Sequence, residues 1–172
     1  MSGRNLYLIG TAAPPVRQLG DACRQAIERG WRPHVVLTPT AASWVQADQL
    51  KSVVGVPVRV HPRLPDEQDP LPEADAVLAA PLTFNTINKW AAGISDTLAL
   101  GLLNELLSSR IPIVAAPCVK TALRSHPAYP ASVDLLTGAG VQVLDPDNIA
   151  KRGEDGLVAF DWPRVLDSLN AD

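Results

Sequence analysis

Along the chain, short and wholly apolar runs alternate with longer stretches in which apolar residues recur every three or four positions. "NLYLIG" (5–10) and "PHVVLT" (33–38) read as strands. "DAVLAA" (75–80) and "IPIVAAP" (111–117) are continuous apolar runs, the pattern of strands buried on both faces of a parallel sheet. "VPVRV" (56–60) and "VQVLD" (141–145) offer two further strands. Between them, "VRQLGDACRQAIERG" (16–30) predicts a helix stopped by Gly30, and a short helix runs through "AASWVQA" (41–47). "NTINKWAAGISDTLALGLLNELLSS" (85–109) predicts one long helix, and "WPRVLDSL" (162–169) a closing helix with Pro163 in its first turn.

Strands alternating with helices imply right-handed crossovers and an open, doubly wound sheet. The expected fold is a three-layer α/β/α sandwich with a parallel sheet, Rossmann- or flavodoxin-like, formed by one domain over residues 1–172. Residues 61–74, "HPRLPDEQDPLPEA", read as a loop, because repeated prolines sustain neither a helix nor an inner strand. Ligands of such sheets bind outside the carboxyl ends of the strands. Those ends are "GTAAPP" (10–15), "TPTAAS" (38–43), "PLTFNT" (81–86) and "PCVKTA" (117–122).

Composition narrows the class of function. The 172 residues suffice for a sizeable core, and 47% hydrophobic with 19% charged residues is far from a disordered composition. A net charge of −3 with no basic stripe argues against a nucleic-acid partner. Cys23 and Cys118 are too few and too far apart for a disulfide framework or a zinc site, which fits a reducing cytoplasm. No run reaches the ~18 apolar residues that span a bilayer, and "MSGRNLYLIG" lacks the apolar core of a signal peptide, so neither membrane nor export is expected.

At the strand ends the chemistry is polar. Gly10, Thr11 and Ala12 follow the first strand, where a glycine and a hydroxyl can admit an anion or simply form a turn. The loop is neither a G-x-G-x-x-G nor a Walker loop. Thr38 and Thr40 repeat the arrangement around Pro39, with helix capping as the competing role. After Pro81, residues Thr83, Asn85 and Thr86 lie within four positions. One hydroxyl caps a helix; the others are available to a polar, planar ligand.

"PLTFNTINKWAAGISD" (81–96) resembles the P-A-S-A-N-[ST] motif of the homo-oligomeric flavin-containing cysteine decarboxylases and the I-x-K-x-A-x-G-x-x-D-x-L run that follows it. The group includes phosphopantothenoylcysteine decarboxylase and the decarboxylases of lantibiotic precursor peptides. "APCVKTALRSHPAY" (116–129) falls where that family carries its substrate clamp, P-x-M-N-x-x-M-W. The resemblance implies FMN as cofactor, with its phosphate near Gly10, Thr11, Ala12, Thr38 and Thr40. Pro81, Thr83, Asn85 and Thr86 would lie near the ribityl chain and ring. It implies oxidative decarboxylation of a small-molecule or peptide C-terminal carboxylate by a homo-trimer or trimer-based oligomer. The helix over 85–109 suits a subunit interface and burial on its own sheet equally well.

Two departures from the family pattern bear on activity. The family places a catalytic His a few residues before the "AD" of residues 74–75, where this chain has Glu67; His61, six positions earlier, is the nearest candidate. The clamp Asn is replaced by Lys120, and the later Trp by Arg124. Both cations can hold a carboxylate or stand solvated at the surface. Asn85 and His61 are therefore the catalytic candidates, Lys120 and Arg124 the substrate-binding ones. An FMN-binding protein without decarboxylase activity is the alternative. A flavin prenyltransferase, which relies on an Arg-Glu pair near the fifth strand, fits less well because Ala115-Ala116 stand in that region.

Overall fold

The computed structural model describes residues 3–68 and 71–170. Positions 69 and 70 of the proline-rich loop lie outside the described residues. In chain order the elements are β1 (Arg4–Gly10), α1 (Leu19–Glu28), β2 (Trp31–Leu37), α2 (Pro39–Ala42), α3 (Ala47–Val54) and β3 (Ala76–Leu82). There follow α4 (Phe84–Ala91), α5 (Leu98–Leu106), β4 (Ile113–Pro117), α6 (Thr121–Arg124), α7 (Ala128–Gly138) and β5 (Gln142–Val143). The chain ends on α8 (Pro146–Ile149), β6 (Ala150–Arg152), β7 (Val158–Phe160) and α9 (Trp162–Asp167).

Five strands pair in parallel in the order β2-β1-β3-β4-β5. Helices cover both faces, as the continuous burial of β3 and β4 requires. One core layer packs Leu6, Leu8, Leu37 and Leu78 against α1 and α9; the other packs Ile9, Val77 and Ala79 against Trp90 and Leu103 of α4 and α5. The result is the doubly wound, flavodoxin-like sandwich that the alternating pattern implies. The connection that leaves β1 runs one way, to β2, and the one that leaves β3 runs the other way, to β4, so the topological switch lies between β1 and β3. A crevice opens there at the carboxyl ends. Among the described residues no helix is long and apolar enough to cross a membrane.

Several elements differ from expectation, each for a local reason. The strand expected at 56–60 is a single bridge between Val36 and Arg59; Pro57 and Pro62 remove the donors a longer ladder needs. The helix expected over 85–109 is two helices. Gly93, at φ +73°, ends α4, and the Thr97 side chain accepts from the Leu100 amide at 3.1 Å to start α5. Asn104 of α5 donates to the Ile94 carbonyl at 3.0 Å and to Ser95 Oγ at 2.9 Å, holding the intervening turn. The helix expected from residue 16 opens as a 3-10 turn, Pro14–Gln18, before α1. Helix α7 and the β6–β7 hairpin were not anticipated, and β5 is shorter than the run at 141–145. Trp90 is a core residue, its indole N–H donating to the Leu103 carbonyl at 3.2 Å.

Candidate active site at the β1–β3 switch

The carboxyl ends of β1 and β3 are tied together by one buried hydroxyl. Thr11 Oγ1 donates to the Pro81 carbonyl at 2.8 Å and accepts from the Thr83 amide at 2.9 Å. The Thr11 amide donates to the same carbonyl at 3.0 Å. Thr83 then caps α4: its Oγ1 accepts from the Thr86 amide at 3.2 Å and donates to Thr86 Oγ1 at 3.1 Å. The Phe84 and Asn85 amides of the first turn have no intrachain acceptor among the described residues. Beside them, Thr38 caps α2 by accepting from the Ala41 amide at 3.3 Å.

These ends surround a cavity of about 400 Å³. Thr11, Ala12, Thr38 and Thr40 line it from β1 and β2, and Thr83, Asn85 and Thr86 from β3 and α4. Seven of the nine residues expected to hold a cofactor thus share one space. The other two are not among the residues that line it. At Gly10 a Cβ would lie 2.9 Å from Leu37 Cδ2 and 3.1 Å from Leu19 Cδ1. Pro81 contributes the carbonyl that Thr11 clasps.

The sequence reading missed one wall. Lys89, Asp96, Thr97 and Leu100 also line the cavity, and Lys89 Nζ pairs with Asp96 Oδ2 at 2.6 Å. They arrive there because the helix breaks at Gly93 and restarts at Thr97. That stop-and-restart was readable as a glycine followed by a Ser-Asp-Thr capping run.

The remaining candidates stand apart from this cavity. His61 is exposed and is not among its lining residues. Lys120 is exposed at the start of α6. Arg124 is committed to Asp147 at 3.0 Å, and the hydrogen bond from its guanidinium holds the Asp147 carboxyl below the usual carboxylate range. Burial pushes the Cys118 thiol up, so it is a poor thiolate. His126 stacks edge-on against Phe84 with ring centres 5.6 Å apart, and its Nδ1 accepts from the Ala128 amide at 3.1 Å.

The donor set is specific in kind: the Thr40 hydroxyl and the Asn85 amide have no intrachain side-chain partner among the described residues, and Ala12 and Leu100 add an apolar wall. A family model described as Flavoprotein matches residues 1–171. The chain belongs to the Flavoprotein family. It is 40% identical over 73 residues to a cysteine/cysteine sulfinic acid decarboxylase from an unknown prokaryotic organism, covering 42% of this chain and 20% of the relative. It is 30% identical over 168 residues to the coenzyme A biosynthesis bifunctional protein CoaBC of Mycolicibacterium smegmatis, covering 90% of this chain and 38% of that protein. The chain therefore spans well under half of either relative. The crystal structure of the FMN-dependent cysteine decarboxylase SpaF superposes with a TM-score of 0.76 at 20% identity, covering 98% of this chain and 97% of that one, which shows the same fold.

Proposed function

We propose that this flavoprotein binds FMN in the cavity at the β1–β3 switch and decarboxylates a cysteine-type carboxylate. The observation that carries the reading is the convergence of Thr38, Thr40, Thr83, Asn85 and Thr86 on one cavity of about 400 Å³ in a member of this family. Polar groups fixed on rigid strand ends, against a partly apolar wall, suit a ligand with both a hydroxylated chain and a planar ring. Thr40 and Thr38 are the residues for the phosphate, and Asn85 and Thr86 those for the ribityl chain and ring edge. Thr11 acts one step back, holding Thr83 and hence the start of α4. When bound, FMN would supply a two-electron acceptor for oxidation of the cysteine thiol to a thioaldehyde, whose thiocarbonyl is the electron sink for loss of the carboxylate.

The residues around the cavity limit how protons are handled. Lys89 and Asp96 are the charged side chains among its lining residues, and they are paired with each other. Asn85, uncharged and unpartnered, is the group placed to orient the cofactor or substrate without itself taking a proton. We extend the proposal to a homo-trimer or trimer-based assembly; Leu64 and Ile94, large apolar residues left exposed, support it, and light scattering tests it.

A second reading, FMN binding without decarboxylation, is favoured by one observation: His61, Lys120 and Arg124 are not among the cavity's lining residues. One experiment addresses both. The purified protein is examined for a flavin absorption spectrum, the released chromophore is identified by mass, and carbon dioxide release is measured from cysteine, a cysteine-ended peptide and pantothenoylcysteine. Bound FMN with gas release supports the first reading; bound FMN without it supports the second. A colourless protein that takes up no added FMN overturns both.

A further inference from the structure

A separate cavity of about 450 Å³ lies at the amino ends of β1 and β2, where Asn5, Trp31, Arg32 and His34 line it. A strand of this length spans roughly 20 Å, so the cavity stands about that far from the crevice at the carboxyl ends. No step of the proposed function uses this end of the sheet. Ile27 from the last turn of α1, Val54 from the end of α3, and Val56 and Pro72 from loops make most of its wall apolar.

One observation concerns an unspent donor. Trp31 lines the cavity and is 3% exposed, yet its indole N–H has no acceptor among the described residues. Native structures keep few buried donors unpaired, because each forfeits its hydration without a replacement. The ring is held in place: the Arg4 guanidinium stacks 4.0 Å over its centre, and Arg4 Nη2 donates to Asn170 Oδ1 at 3.2 Å.

The other observation concerns charge. In a chain of net charge −3, this cavity has one charged lining residue, the cation Arg32, and no acid. The stem of Arg32 packs over Gly3, where a Cβ would come 3.1 Å from Arg32 Cγ. Its guanidinium has no carboxylate partner among the described residues. His34 adds no charge near neutral pH, since burial and then the charge of Arg32 lower its imidazole below 6.5. Its Nε2 is occupied with Asn5 Oδ1 at 3.3 Å.

We propose that this cavity binds a small apolar monocarboxylate, with its hydrocarbon body along Ile27, Val54, Val56 and Pro72 and its carboxylate on the Arg32 guanidinium and the Trp31 indole N–H. Two donor groups match the two oxygens of one carboxylate, and the ligand's acid completes both the lone cation and the unpaired N–H. The apolar wall excludes a compact, fully hydrated anion such as inorganic phosphate, which would bury no hydrocarbon there. The site is distinct from the flavin cavity and does not depend on the flavin reading.

The test is titration calorimetry of the full chain, with and without added FMN, using octanoate, 1-octanol and octylammonium as probes. Octanoate binds the wild type, 1-octanol binds at least tenfold more weakly, and octylammonium does not bind. Arg32→Gln, at an exposed position where folding is not at risk, weakens octanoate at least tenfold and leaves 1-octanol unchanged. Val56→Trp fills the space and abolishes binding of both. Trp31→Phe keeps the aromatic ring but removes the N–H, and weakens octanoate further than 1-octanol. All three variants take up FMN as the wild type does, and FMN does not displace octanoate. A protein that binds octanoate in this way but takes up no FMN sinks the cofactor reading and leaves this site standing. No binding of octanoate at millimolar concentration, equal binding by wild type and Arg32→Gln, 1-octanol binding as tightly as octanoate, or displacement of octanoate by FMN overturns the proposal.

Discussion

Replacing Thr11 by valine removes one hydroxyl while nearly preserving side-chain shape. The residue is 1% exposed, so water cannot take the hydroxyl's place. Two hydrogen bonds disappear, to the Pro81 carbonyl and from the Thr83 amide. At roughly 0.5–1.5 kcal/mol each they amount to about 1–3 kcal/mol. The Pro81 carbonyl keeps the Thr11 amide as donor, but the Thr83 N–H loses its acceptor, which costs about 1–2 kcal/mol more in a part-buried place. Burying a methyl instead of a hydroxyl recovers up to about 1 kcal/mol. The net loss is about 2–3 kcal/mol, or roughly 4–12 °C in Tm for a chain of this size. Urea unfolding of wild type, Thr11→Val and Thr11→Ser measures it, with serine expected to recover most of the loss. FMN affinity should fall alongside, because the Thr83 amide sets where α4 begins. A Thr11→Val protein within about 0.5 kcal/mol of wild type would refute the clasp.

Three further outcomes follow from the same geometry. Gly10→Ala drives a methyl against Leu37 and Leu19 and should cost about 1–3 kcal/mol, read as a lower melting temperature. Asn85→Ala should leave stability within about 0.5 kcal/mol, since its side chain is exposed and unpartnered, yet weaken FMN at least about tenfold by flavin fluorescence titration. Burial, then the charge of Arg32, lowers the His34 imidazole below its ordinary 6.5, so as pH falls through about 6.5 the unfolded chain takes up a proton first. Its contribution to stability is complete above that pH and declines below it until the lowered folded value is passed. Urea unfolding at about pH 5 and pH 7.5 should show a smaller difference for His34→Gln than for the wild type.

What proved legible in the chain was whatever depends on local pattern. The apolar runs at 75–80 and 111–117 became β3 and β4 with every strand residue buried, because only a strand covered on both faces tolerates such a run. The "PLTFNT" stretch announced a helix start with more polar groups than a cap needs, and Thr83 does cap while Asn85 remains free. The long helix was misread because periodicity averages over a break: apolar spacing continues through 85–109, and only Gly93 and Thr97 mark the interruption.

By itself, the sequence determined the layer order of the fold, the polar character of the strand ends and the family likeness carried by residues 81–96. Tertiary structure alone decided which of those polar residues meet. It joined Thr11 to Thr83 across 72 positions. It folded Lys89 and Asp96 onto one cavity wall and tied Arg124 to Asp147. The reason is physical: hydrogen-bonding partners and cavity walls are fixed by strand register and by where helices restart. A one-dimensional pattern records only which face of each element is apolar.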